Sequence, residues 1–268
     1  MKRVLSIQDL SCMGKCSLTV ALPVLSAMGC ACTVLPTAVL STHTAFPEPH
    51  CRSLTEDLVP TARHWKSVGA DFDAIAVGYL ADPRQAGEVA QVLDIFADTV
   101  VLDPAMGDHG KLYSGQTPDH VQAMAQLCRR AKYLLPNVTE AALLTGLPYR
   151  EAADEGYLRE LAAGLLAFGA DSAVITGFLW NDGQTGFFGT HRQTGEFSYR
   201  AHRIPKHFHG TGDLFAAVFT GHLVKGGSAC DSATLAAGFV EQVVSATKEA
   251  SPFGIEFEPQ LPRLWEQK

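Results

Sequence analysis

Short apolar runs rich in β-branched residues alternate with longer segments of helical period along most of this chain, and no other feature narrows the fold as sharply. Val4–Ile7, Cys32–Leu35, Ala74–Val77, Val100–Leu102, Tyr133–Leu135 and Ser172–Thr176 read as strands. The stretches 17–28, 52–67, 83–97, 118–130, 138–145 and 151–168 read as the helices between them. This βαβα rhythm predicts a parallel sheet flanked by helices, and the unbroken apolar character of Ser172–Thr176 marks a strand buried on both faces. Between 184 and 203 the rhythm changes to two short runs, Thr185–Gly189 and Phe197–His202, separated by a polar turn, which predicts an antiparallel hairpin at the sheet edge. Two helices follow, about 211–225 and 228–248, broken at Gly226-Gly227, and the Pro-dotted stretch 252–263 reads as a tail over the surface. No linker composition interrupts the pattern, so residues 1–268 are expected to form a single α/β domain.

Composition excludes several classes. A hydrophobic content of 47% supports a sizeable core, while no apolar run approaches the ~18 residues of a membrane span. The first strand turns polar at Gln8-Asp9, too early for a secretory signal. A net charge of −7 argues against nucleic-acid binding. Seven cysteines without a Cys-x-x-Cys pair fit a reduced cytoplasm, and neither Cys30-x-Cys32 nor His207-x-His209 has the partner cluster a zinc site needs.

In open α/β sheets, ligands gather at the carboxyl ends of the strands. Those positions here are polar. Asp9 follows the first strand, Ser41-Thr42-His43-Thr44 follows the strand-like Ala38-Val39-Leu40, and Gly78-Tyr79 follows Ala74–Val77. Asp103-Pro104-Ala105-Met106-Gly107-Asp108, Pro136-Asn137-Val138-Thr139-Glu140 and Thr176-Gly177 follow the later strands. A turn or helix cap explains each alone, whereas their convergence on one rim describes a site.

The run Gly210-Thr211-Gly212-Asp213 before the apolar stretch Leu214–Phe219 carries the chemistry. Glycines at 210 and 212 allow close backbone approach and unusual φ/ψ. The free N–H groups of the helix start favour an anionic oxygen, and Asp213 in the first turn can accept the proton of an attacking hydroxyl. That is the layout of a phosphoryl-transfer site; an Asp helix cap behind a loop is the plainer reading. Other motifs fail. A P-loop around Gly14-Lys15-Cys16-Ser17 would need Gly at position 9 and Ser or Thr at 16, where Asp9 and Cys16 stand, so Gly14 reads as a tight turn and Lys15 as a solvated side chain. Gly210-Thr211-Gly212 lacks the third glycine of a dinucleotide fingerprint, and no G-x-S-x-G is present. Asp103 and Glu140 supply the hard oxygen ligands that Mg²⁺ prefers, directly or through water.

Taken together, the G-T-G-D turn, the D-P-x-M-G-D run 103–108, the P-N-V-T-E run 136–140, S-x-H-T at 41–44 and G-Y-L at 78–80 resemble the ribokinase superfamily, specifically its pyridoxal kinases. The resemblance spans nearly the whole chain. It implies a ribokinase-like fold, use of ATP with Mg²⁺, phosphorylation of the 5′-hydroxymethyl group of a vitamin B6 vitamer, and a cytoplasmic homodimer without a large lid domain. A bound monovalent cation such as K⁺ is common among such enzymes. It further implies that Asp213 is the base and that Gly210, Thr211 and Gly212 form the anion hole. Asp103 and Glu140 would manage Mg²⁺, with Asp108, Tyr113 and Thr176 on the nucleotide side and the vitamer among Asp9, Ser41, His43, Thr44 and Tyr79. The G-T-G-D turn is shared with sugar and hydroxymethylpyrimidine kinases, which stand as alternatives, as does a binding protein that holds a vitamer without transferring phosphate.

One position departs from the resemblance. Asp9 stands where pyridoxal kinases carry Ser after the Ile-Gln of the first strand. A carboxylate there can pair with a protonated pyridine nitrogen or an aminomethyl group, or it marks a polyol substrate.

Overall fold

The computed structural model describes residues 1–96, 99–206, 208–248 and 251–265. Nine strands form one sheet: β1 (Arg3–Ser11), β2 (Ala31–Leu40), β3 (Cys51–Ser53), β4 (Ala74–Val77), β5 (Val100–Leu102), β6 (Tyr133–Leu134), β7 (Ser172–Ile175), β8 (Thr185–His191) and β9 (Gly195–Ala201). Their order is β9-β8-β7-β6-β5-β4-β1-β2-β3. The six from β7 to β2 run parallel, β8 and β9 make the expected edge hairpin, and β3 adds an antiparallel strand at the opposite edge.

Helices α1 (Leu18–Ala27), α7 (Thr211–Val224) and α8 (Ala229–Ala246) cover one face of the sheet. The other face carries α2 (Leu58–Ser67), α3 (Gln85–Phe96), α4 (Pro118–Cys128), α5 (Val138–Thr145) and α6 (Glu155–Leu166). The period of two in the strands feeds both layers. Val100 and Leu102 pack toward α3 and α4, whereas Val101 between them packs toward α1 and α7. Such three-residue apolar strands, buried on both sides, leave the polar residues that follow them as the first to reach solvent.

Four local expectations are corrected. The runs Cys32–Leu35 and Ala38–Leu40 belong to one strand, β2, and β1 extends to Ser11, so Asp9 lies inside a strand rather than after it. There Thr37 and Ala38 stand opposite the single residue Asp9, a bulge that re-aims side chains beside the site. The stretch 52–67 divides into the edge strand β3, a turn at Thr55–Asp57 and the shorter α2. The helix expected over 151–168 starts at Glu155, where the Asp154 side chain accepts the Tyr157 N–H, because Ala152–Ala153 pairs with Leu179–Trp180. Finally, the stretch after 251 is no surface tail: Ile255 and Phe257 are fully buried against the α1/α7 layer.

Candidate active site

Local chemistry fixes the start of each helix that faces the site. Gly210 caps α7 with φ 88°, and a Cβ there would lie 2.1 Å from the Lys15 carbonyl oxygen, so only glycine fits. The first N–H to find an intrahelical backbone partner is that of Leu214, bonded to Gly210 O, which leaves the amides of Thr211 and Gly212 at the open helix end and that of Asp213 against its own carboxylate. Gly212 departs from expectation. Its φ is not in the left-handed region, and the nearest atom to an added Cβ is Asp103 Oδ2 at 4.0 Å. The absent side chain there keeps space open between the helix start and Asp103.

Asn137 caps α5 and Glu140 closes the capping box. Asn137 Oδ1 accepts the Glu140 N–H at 3.0 Å, and Glu140 Oε2 accepts the Asn137 N–H at 2.8 Å. Glu140 Oε1 accepts the Met106 N–H, and Asn137 Nδ2 donates to Gly107 O, so this cap also fixes the loop after β5. Glu140 is therefore the helix-start residue of the plainer reading as well as a carboxylate facing the site. The Asp103 carboxylate accepts no hydrogen bond from the described residues.

A cavity of about 410 Å³ opens along the carboxyl edge of the sheet. It brings together Asp103, Asp108, Tyr113, Glu140, Thr176 and the Gly210–Asp213 turn, all singled out from sequence. Its far end, between the hairpin and α8, is lined by Tyr199, Ala237, Val240, Glu241 and Val244, which sequence reading missed. Tyr199 Oη donates to Glu241 Oε2 at 2.6 Å, joining β9 to α8. No local motif announces these residues, because they are ordinary positions of an edge strand and an amphipathic helix.

None of Asp9, Ser41, His43, Thr44 and Tyr79 lines this cavity. Of the five, Asp9 is the one whose charge acts on Asp213. Asp9 is buried, accepts a hydrogen bond from Ser11 Oγ at 2.8 Å, and acts electrostatically on Asp213 and Tyr79. Ser41 Oγ accepts the His50 N–H, so it ties the 41–50 loop to itself. His43 is buried, with both ring nitrogens against backbone: Nε2 lies 2.8 Å from Pro252 O and Nδ1 accepts the Ala45 N–H. Its ring packs on His209 and Phe46. His207, considered with His209 as a metal pair, lies outside the described residues; no group of three or more His, Cys, Asp or Glu among those described is placed to hold a metal ion. Lys15, expected to be solvated, pairs with Glu258 at 2.7 Å.

The carboxylates raise one another's pKa. Burial first, and then the charge of Asp9, push Asp213 up to about 7, with the backbone N–H groups of Ser17 and Asp213 working against them. Asp103 is raised by burial and then by Asp213. Glu140 is raised by burial and then by Asp103, despite its backbone donors, and burial then Glu140 hold the Tyr113 hydroxyl protonated. A group that titrates near neutrality beside the helix-start N–H groups of Thr211 and Gly212 can take a proton from an alcohol while the amides bind an anion.

Comparison with known proteins agrees with this geometry. The Bordetella bronchiseptica pyridoxine/pyridoxal/pyridoxamine kinase is 30% identical over 271 residues, covering 92% of this chain and 90% of its own. A Bacteroides thetaiotaomicron protein assigned as a phosphomethylpyrimidine kinase and crystallised with pyridoxal superposes with a TM-score of 0.93 at 34% identity, over 98% of this chain and 95% of its own. The Lactobacillus plantarum pyridoxal kinase superposes with a TM-score of 0.88 at 34% identity, over 98% and 96% of the two chains. The fold is thus the expected ribokinase-like one, and the resemblance to pyridoxal kinases is borne out. Residues 21–257 match the phosphomethylpyrimidine kinase model, and the chain belongs to that family of kinases, phosphotransferases with an alcohol group as acceptor.

Proposed function

We propose that the protein transfers the γ-phosphoryl group of ATP to the 5′-hydroxyl of a vitamin B6 vitamer (pyridoxal, pyridoxamine or pyridoxine), serving pyridoxal phosphate salvage. The observation that carries this reading is Asp213 itself, which lines the 410 Å³ cavity and is coupled electrostatically to the buried Asp9 outside it. Relatives that act on or bind B6 vitamers support the substrate class.

In this reading the nucleotide occupies the cavity, its base end against Val240 and Val244 and its phosphates beside Asp108, Tyr113 and Thr176. The vitamer lies beyond Asp213, near Asp9 and Tyr79. Asp213 takes the proton from the 5′-hydroxyl as its oxygen attacks, and the amides of Thr211 and Gly212 stabilise charge on the transferred group. The partly buried Asp103 carboxylate, with no hydrogen-bond donor among the described residues to offset its charge, and the buried Glu140 form an all-oxygen donor set that fits Mg²⁺. When bound, that ion supplies neutralisation of phosphate charge.

An ATP-consumption assay across pyridoxal, pyridoxamine, pyridoxine, hydroxymethylpyrimidine and ribose tests the proposal. B6-dependent turnover at least tenfold above the other acceptors supports it. Preference for hydroxymethylpyrimidine would establish the second reading, which the family match itself favours, and absence of turnover with any acceptor would leave a binding protein.

A further inference from the structure

Three turns around the candidate site are held by one piece of backbone, residues 251–258. The Lys15 N–H, after β1, donates to Phe253 O at 2.7 Å. The Ile255 N–H donates to the carbonyl of His209, immediately before the Gly210 cap, at 3.1 Å. His43, after β2, meets Pro252 O through Nε2 at 2.8 Å. The side chains of this strap are anchored as well: Ile255 and Phe257 are buried, Glu258 pairs with Lys15, and Phe253 packs on Phe46 at 5.6 Å.

The partners fix the chemistry of His43. A carbonyl oxygen only accepts, so Nε2 carries the proton; a backbone N–H only donates, so Nδ1 offers its lone pair to Ala45. No polar atom of the ring is left for a ligand. The ring is enclosed as well, since a Cβ on Gly14 would lie 2.4 Å from its Cδ2 and the His209 ring packs 4.7 Å away. From His43 the connection runs through Pro252-Phe253 to Lys15, whose carbonyl oxygen abuts Gly210, and through Ile255 to His209.

We propose that His43 is a positioning residue: its Nε2–H bond to Pro252 holds the 251–258 strap, and the strap sets the Gly210-Thr211-Gly212 turn for phosphoryl transfer. The kinetic part rests on the reading given under Proposed function; the structural part does not. The test compares wild type with His43→Leu, which keeps bulk without a donor, and His43→Gln, whose amide nitrogen can replace Nε2 as donor to Pro252 O. Amide hydrogen exchange is read on the full chain without ligands. In His43→Leu, exchange at Lys15 and Ile255 is expected to speed up roughly tenfold, the equivalent of one net hydrogen bond, with the β5 amides unchanged and His43→Gln close to wild type.

Under turnover, His43→Leu is expected to lower kcat with the vitamer KM within twofold of wild type, and His43→Gln to restore kcat. Unchanged exchange in His43→Leu overturns the proposal, and so does a rise in vitamer KM shared by both variants, the signature of a direct ligand. Should His43→Leu fail to fold, Gly254→Ala reports on the strap without touching His43. Gly254 has φ 105°, and an added Cβ would crowd Lys15 and the His209 carbonyl at 3.0–3.1 Å. It should speed the same two amides and lower kcat, and wild-type behaviour there refutes the role of the strap. If wild type phosphorylates no vitamer, the functional reading falls, and exchange at Lys15 and Ile255 still decides the strap.

Discussion

Two glycines two positions apart in the same turn should differ in what alanine does to stability. At Gly210 the backbone sits at φ 88°, where a non-glycine residue costs about 1–2 kcal/mol, and the new Cβ would lie 2.1 Å from Lys15 O, an overlap that backbone alone can relieve. Since that carbonyl belongs to the loop leading into α1, relief shifts packing as well, and a total near 3 kcal/mol is expected for Gly210→Ala. At Gly212 the φ is ordinary and the nearest atom to the new Cβ is 4.0 Å away, so alanine in the first turn of α7 costs nothing sterically and adds up to about 0.5 kcal/mol through chain entropy. The same methyl, however, occupies the space between the helix start and Asp103 that the proposed mechanism gives to the transferred phosphoryl. Urea unfolding paired with turnover separates these effects: Gly210→Ala should lose both stability and activity, whereas Gly212→Ala should keep its midpoint and lose at least tenfold in kcat. A Gly212→Ala enzyme of wild-type rate would refute the claim that this turn binds the transferred group, and an undisturbed Gly210→Ala would refute its close packing on Lys15.

Further predictions follow from the carboxylates. Because the folded pKa of Asp213 is raised to about 7, its ionisation opposes folding. Its favourable contribution is present below pH 4 and is lost as the pH rises through 7, so Asp213→Asn should melt higher than wild type at pH 8, with the gap closing toward pH 4; equal melting temperatures at pH 8 would contradict the shift. Removing the charge that raises Asp213, in Asp9→Asn, should move the acid limb of the kcat/KM–pH profile to lower pH; an unmoved limb would show that the two carboxylates do not interact in solution. Glu140→Gln, which loses one of two backbone-bonded oxygens, should unfold about 1–2 kcal/mol more easily and need more Mg²⁺ for half-maximal rate, and an identical Mg²⁺ titration would leave Glu140 as a helix cap alone.

Much of this was legible from pattern. Short strands buried on both faces advertise themselves as apolar runs, and the residues after them reach the rim because a parallel sheet puts every carboxyl end on one side. Asp103, Asn137 and Thr176, which line the cavity, are legible in that way, and Asp213 from the small-residue run before it. What escaped was coded in backbone. The three-residue strand Cys51–Ser53 is exposed throughout and has no period to read. The contacts of the strap, Lys15 with Phe253 and Ile255 with His209, are carbonyl to N–H and leave no trace in side-chain type. The resemblance places His43 near the vitamer, while its ring nitrogens meet backbone, a relation between residues 209 positions apart that local reading does not reveal. The sequence of the turn gives Gly212 and Gly210 the same part, although of the two only Gly210 has a positive φ.

The central claim is that Asp213 takes the proton from the 5′-hydroxyl of a B6 vitamer. Phosphorus NMR of a reaction containing the protein, ATP, Mg²⁺ and pyridoxal follows the product directly, with Asp213→Asn run beside wild type and its folding and nucleotide affinity checked on the same sample. The account predicts a growing 5′-phosphomonoester signal with wild type, and a rate lower by about 10²–10⁴-fold in the variant with nucleotide binding intact. Vitamer phosphate formed by Asp213→Asn at the wild-type rate would contradict it.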